Sequence, residues 1–190
     1  MSPLLDEPGF RKRALPLSVQ AWHRMIAEGL APEKSELLRG VIIEKMPKSI
    51  LHIQLIVRLL QMLQSMLGNN FWVRPEAPLS LADSEPEPDI SVVVGRDIDY
   101  AAHPVTAKLV VEISVSTLAE DRGIASIYAE AEVEEYWIIN ARERSIEIFR
   151  HPVDGIYQTS IVTRAGDEVE CLALPGVHLA VSTLFEGLAG

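Results

Sequence analysis

Glu85-Pro-Glu-Pro-Asp-Ile-Ser-Val-Val-Val-Gly95 is the stretch on which the fold turns. A proline- and acid-rich approach gives way at Asp89 to a β-branched run, closed by Gly95. Pro88 and Gly95 bracket that run, so the pattern predicts a short buried strand. A second run of the same kind, Lys108-Leu-Val-Val-Glu-Ile-Ser-Val115, follows a loop containing His103-Pro104. Thr117-Leu-Ala-Glu120 then has capping-box spacing and predicts a helix to about Ala131, in which Gly123 costs roughly 1 kcal/mol relative to alanine. Val133 to Ile139 and Ser145 to Arg150 read as two more strands joined by the polar turn Asn140 to Arg144. Strand, strand, helix, strand implies an α/β fold: a mixed central β-sheet flanked by helices.

Working outward, Ser18 is placed to cap a helix running to about Glu28 and ended by Gly29. Glu36 to Met46 reads as a hairpin around Arg39-Gly40, stopped by Pro47. The apolar segment Ile50 to Leu67 is a second helix, with Gly68-Asn69-Asn70 as its stop. This helix-hairpin-helix is expected as an N-terminal extension of the sheet. Phe71 to Leu81 reads as extended chain. Strands near Ile156 to Val162 and Val169 to Leu174, and a short helix from Ser182, complete the pattern. A chain of 190 residues without repeats or low-complexity tracts fits one domain, taken as residues 18–190 behind an arm of residues 1–17.

Composition limits what the chain can do. The formal net charge is −10, from 17 Lys and Arg against 27 Asp and Glu. A protein that coats nucleic acid non-specifically gains affinity by neutralising phosphates with a basic surface, and this one has none to spare. Any nucleic-acid binding must use a local patch, be weak without metal, or be supplied by a partner. The single Cys171 forms no intramolecular disulfide, and no Cys/His cluster has zinc spacing. Arg11, Lys12 and Arg13 precede no apolar stretch of signal-peptide length, and Leu51 to Leu67 is interrupted by polar residues. No membrane association and a cytoplasmic location are expected.

Two carboxylates stand out. Asp89 sits at the mouth of one apolar strand and Glu112 inside the next, flanked by Val110, Val111, Ile113 and Val115. Burying an ionised carboxylate is costly unless its charge is compensated. Alternation puts Glu112 on the face of Lys108 and Val110, opposite Val111 and Ile113. If the two strands are neighbours, both acids converge at one edge of the sheet and offer oxygen donors suited to magnesium or manganese. The alternative leaves Glu112 paired with a buried Arg or Lys, and Asp89 capping a turn after proline. Glu36 is a third acid to weigh, as an outer carboxylate orienting a water at the metal. His52 opens the apolar helix, and Tyr136-Trp137 belongs to the core. No phosphate-binding glycine loop and no nucleophile triad can be assembled.

Glu36-Leu-Leu-Arg-Gly40, Pro86-Glu-Pro-Asp89, Leu109-Val-Val-Glu112, Asp121-Arg122, Tyr128-Ala-Glu-Ala131 and Glu135-Tyr-Trp-Ile138 occur in that order, with Leu174-Pro-Gly176 and Leu184-Phe185 closing the chain. This ordered set resembles the Uma-type restriction endonuclease family, a branch of the PD-(D/E)XK nuclease superfamily, from about Ser18 onward. The resemblance implies a restriction-endonuclease-like core and a metal-dependent endonuclease that hydrolyses DNA phosphodiesters. It implies Asp89 and Glu112 as metal-binding carboxylates for Mg2+ or Mn2+, with Glu36 as the acid before the hairpin. His52 matches a histidine at the start of the following helix. A homodimer is expected, since a duplex has two strands to cut.

The chain departs from that family at its lysine. The superfamily's usual position, two residues after the glutamate, is Ser114, and the family's helical position is Ile124. Loss of such a group costs on the order of two to four powers of ten in rate. Lys108 lies about 13 Å from Glu112 along a strand, and Arg122 can only stabilise charge. The competing expectation is therefore a catalytically inactive nuclease fold that binds nucleic acid or a protein partner. The nuclease reading also requires the two acids to meet without being locked in ion pairs with basic neighbours.

Overall fold

The computed structural model describes residues 8–32 and 34–188; residues 1–7 of the expected arm lie outside them. A helical turn, α1 (Pro8–Arg11), precedes α2 (Val19–Ala27), where Ser18 Oγ accepts from the Ala21 amide at 3.2 Å and Gly29 follows with φ +68°. The hairpin is β1 (Ser35–Leu38) and β2 (Val41–Glu44). Its two turn residues, Arg39 and Gly40, both have positive φ, the geometry of a tight hairpin turn. The arm docks there: the Leu17 amide donates to the Gly40 carbonyl at 3.0 Å.

Helix α3 (Ile50–Met66) begins at Ser49, whose hydroxyl accepts from the His52 amide at 3.2 Å. Leu55, Ile56, Leu59 and Leu63 recur on one face and are buried against the sheet. This helix is thus part of the main core, and of the expected helix-hairpin-helix only α2 and the hairpin lie outside that cluster. Its end also differs from expectation. Leu67 turns the chain out in an extended conformation, and Gly68 does not adopt a left-handed cap.

The sheet is built from β3 (Phe71–Pro75), β4 (Ile90–Val94), β5 (Leu109–Ser114), β6 (Glu135–Asn140), β7 (Ser145–Val153) and β8 (Ile156–Arg164), in that spatial order. Every neighbouring pair is antiparallel except β5 and β6, which run parallel. The mixed α/β architecture with a central sheet is as the sequence implies. The crossover from β5 to β6 carries α4 (Leu118–Gly123) and α5 (Ala125–Glu130). The single helix expected from Thr117 to Ala131 is thus broken at Gly123 and Ile124. Thr117 makes no capping bond to the backbone; its hydroxyl donates to Asp121 Oδ2 at 2.8 Å instead.

β9 (Glu168–Glu170) pairs with β10 (His178–Ala180), and α6 (Val181–Phe185) closes the described chain. The strand expected over Val169 to Leu174 stops early because its partner is only three residues long. Alternation along β5 separates two apolar clusters. Leu109, Val111 and Ile113 face α3 and α6, whereas Val110 faces Tyr128 and Tyr136. Among the described residues no helix is long and apolar enough to cross a membrane.

Candidate functional site

Asp89 stands one step beyond the ladder that joins β4 to β5. Ile90 is opposite Val111, and continuing the register sets Asp89 opposite Glu112. Residues opposite one another in an antiparallel pair project from the same face. Strand pairing alone therefore brings the two carboxylates together. The Asp89 amide donates to Glu112 Oε2 at 3.2 Å, and the Ile113 amide donates to Asp89 Oδ2 at 2.7 Å.

Their surroundings differ. Lys48 Nζ donates to Asp89 Oδ1 at 2.7 Å, and His52 Nε2 lies 2.9 Å from the same oxygen. Burial raises the Asp89 carboxyl, but hydrogen bonds and charge from His52 and Lys48 outweigh it and hold the group below its ordinary value. Glu112 has a different neighbour: the Tyr128 hydroxyl donates to Oε1 at 2.8 Å. Burial, then the charge of Asp89, push Glu112 well above the usual carboxylate range, against the lowering effect of Tyr128.

Among the described residues no Lys or Arg pairs with Glu112, so the reading in which a buried base neutralises it is not met. Asp89, by contrast, is ion-paired. The condition that both acids stay clear of basic neighbours holds for Glu112 and fails for Asp89.

Glu36 lies on β1, where its Oε2 accepts from the Glu87 amide at 3.1 Å. Burial raises its carboxyl, opposed by that hydrogen bond and by Lys45. Glu36, Lys48, His52, Asp89, Glu112 and Ile124 all line one cleft of about 250 Å³. All three acids singled out in the sequence thus meet in a single cavity. Ile124, at the break between α4 and α5, presents an aliphatic side chain to its wall. Neither Lys108 nor Arg122 lines the cleft: Lys108 pairs with Glu134, and Arg122 grips Glu147 with two bonds of 2.8 and 2.5 Å.

Two residues at the site escaped the sequence reading. Lys48 precedes the Ser49 cap, one helical turn before His52, so the helix start that delivers the histidine delivers the lysine too. Tyr128 was visible only as part of a motif. It lies four residues after Ile124, one turn along, and on the face toward Glu112.

The donors fit a hard divalent cation in part. Among the described residues no three His, Cys, Asp or Glu side chains are arranged to hold a metal ion. Magnesium, however, keeps most of its waters and is held by one or two carboxylates. Asp89 and Glu112 are the two carboxylates that would supply these, and a cation there would offset the burial and, after it, the Asp89 charge that raise Glu112.

A search of curated proteins finds no match. Among solved structures, the chain is similar to "a putative nuclease belonging to DUF820" from Anabaena variabilis ATCC 29413. The likeness has a TM-score of 0.76 at 17% identity, over 90% of this chain and 98% of that one. At that identity the likeness shows the fold. The sequence itself matches one family over residues 21–182, which takes in α3, the six-strand sheet and Glu36, Asp89 and Glu112. The chain belongs to the Uma2 family, described as "Putative restriction endonuclease".

Proposed function

We propose that this protein is a metal-dependent endonuclease that hydrolyses DNA phosphodiesters at the Asp89–Glu112 pair. The observation that carries this reading is the meeting of two carboxylates across β4 and β5 in a cleft, one held ionised and the other driven toward protonation by burial and then by its neighbour. Asp89 and Glu112 would hold Mg2+ or Mn2+. A cation bound there supplies Lewis-acid activation of water and neutralises charge developing on the phosphate.

The chain's own residues do the positioning. The Ile113 amide fixes Asp89 Oδ2, and the Tyr128 hydroxyl fixes Glu112 Oε1, so both carboxylates are oriented before any ligand arrives. His52 steadies Asp89 from the helix side. Glu36 lines the same cleft, and on this reading it accepts a hydrogen bond from the attacking water. The reading extends to a homodimer in the cytoplasm, with DNA contacted through a local patch and the described fold acting as one domain.

The test is plasmid nicking by the purified chain with magnesium or manganese, beside Asp89→Asn and Glu112→Gln. Each substitution should lower the rate by about a thousandfold, the equivalent of several kcal/mol of lost charge stabilisation. Nicking that survives both substitutions sinks the proposal. A second reading, a non-catalytic domain that binds nucleic acid or a protein, draws on Ile124 and on the Lys48–Asp89 ion pair. It predicts duplex binding without turnover even in manganese. Sedimentation at micromolar concentration tests the dimer, and a monomer there contradicts it.

A further inference from the structure

Charge around the cleft is unevenly committed. Its carboxylates include Glu36, Glu87, Asp89, Glu112 and Asp121, and its ammonium groups are Lys45 and Lys48. A phosphodiester entering such a cavity meets repulsion unless a cation turns toward it. Lys45 is bound to Glu87, at 2.6 Å from Oε1 and 3.4 Å from the carbonyl oxygen. Glu87 is no part of the Asp89–Glu112 pair, so nothing that binds that pair frees Lys45.

Lys48 is placed differently. Its ammonium spans Asp89 Oδ1 at 2.7 Å and Glu76 Oε1 at 2.5 Å. Asp89 is buried, whereas the Glu76 side chain is half exposed. The inner contact is therefore the stronger, and the outer one a weak surface pair. Both Asp89 oxygens are engaged, Oδ2 by the Ile113 amide and Oδ1 by Lys48 together with His52 Nε2 at 2.9 Å, but only the Oδ1 partners are side chains that can turn away.

We propose that Lys48 is the resident counter-cation of the site. It holds Asp89 while no metal is bound, gives up Oδ1 to a divalent cation, and then turns to a substrate phosphate oxygen. The inference rests on the nuclease reading and adds a phosphate-contacting residue to it. Lys48 thereby puts positive charge on the cleft wall where Ile124 offers none. The proton count does not change: the ammonium stays an ammonium and exchanges one oxygen partner for another.

The test compares Mn2+ affinity by calorimetry, and plasmid nicking at saturating Mn2+, for the full chain and for Lys48→Met and Lys45→Met. Removing a competing charged hydrogen bond should tighten Mn2+ binding by about tenfold or more in Lys48→Met. Lys45→Met removes the same charge from the same cleft and should change affinity by less than about threefold. Nicking by Lys48→Met should fall by about a hundredfold, within the range for losing one preorganised charge on the transferring group.

Equal affinities for wild type and Lys48→Met, or equal tightening by both substitutions, overturn the counter-cation role; nicking by the wild type would leave the nuclease reading standing. Tighter binding with undiminished nicking overturns the phosphate contact. Absence of Mn2+ binding in wild type and Lys48→Met alike removes the nuclease reading and this inference together. Should Lys48→Met fail to fold by circular dichroism, Lys48→Gln carries the same comparison.

Discussion

At the scale of single residues, the carboxylate pair sets opposite pH dependences. Glu112 holds its proton more tightly in the folded chain than in the unfolded one. The stability owed to that proton is fully present below the ordinary value of 4.5 and is lost as pH rises through the raised one. Asp89 has the other sign: its contribution is present above its ordinary value and fades as pH falls through the depressed one. Chemical denaturation of the metal-free protein between about pH 5 and about pH 8 should therefore show a decline that Glu112→Gln flattens. Metal affinity should climb over the same interval, because the Glu112 proton must leave first. A second prediction concerns Cys171. It is buried, and burial followed by the charge of Glu135 pushes its thiol far up. Alkylating reagents at about pH 8 should leave the native chain untouched and label it on unfolding; prompt native labelling contradicts this. Asp89 and Glu112 were conspicuous in the sequence as carboxylates in apolar strands, although spacing alone left ion pairing and turn capping open and the family resemblance was what singled them out. Lys48 was not conspicuous, since a lysine beside a helix cap looks like any solvated surface charge until the fold shows what it faces.

At the scale of elements, β-branched runs bracketed by proline and glycine gave strands within a residue or two, because burial on both faces leaves few other conformations. Helix ends were less legible. The Thr117–Glu120 spacing suggested a capping box, yet Thr117 bonds to Asp121, a competition that spacing alone does not reveal. The hairpin turn offers a direct test. Gly40 has φ +70°, and a β-carbon there would sit 2.4 Å from Pro16 Cβ and 2.7 Å from the Leu17 nitrogen. Left-handed geometry alone costs an L-residue about 1–2 kcal/mol, and the collision with backbone adds to it. Gly40→Ala should lower stability in urea by about 2 kcal/mol or more and undock residues 16 and 17. A change below about 0.5 kcal/mol would show that the arm does not press on the turn.

At the scale of the whole molecule, the net charge of −10 opposes any approach to DNA. Without a divalent cation the cleft is acidic, and the one ammonium beside the carboxylate pair is occupied by Asp89. Duplex binding followed by fluorescence anisotropy should therefore be weak in EDTA and strengthen by about tenfold or more when calcium is supplied, a hard cation that also takes oxygen ligands. Equal affinity in the two conditions would place the DNA contacts elsewhere on the surface. The mixed sheet was legible from the order of elements. Its spatial order follows the chain order from β3 to β8, and what the linear pattern left open was whether the strands carrying Asp89 and Glu112 were neighbours at all.

The parallel pairing of β5 with β6 has a consequence for how the site comes into being. A chain leaving the ribosome presents Asp89 and Glu112 while Tyr128 and all of β6 are still to be made. No hairpin can supply the missing neighbour, because a parallel partner arrives only after α4 and α5 have been synthesised and folded across. Until then Glu112 lacks the hydroxyl that orients it, so the nascent protein carries both acids but not yet a formed pocket.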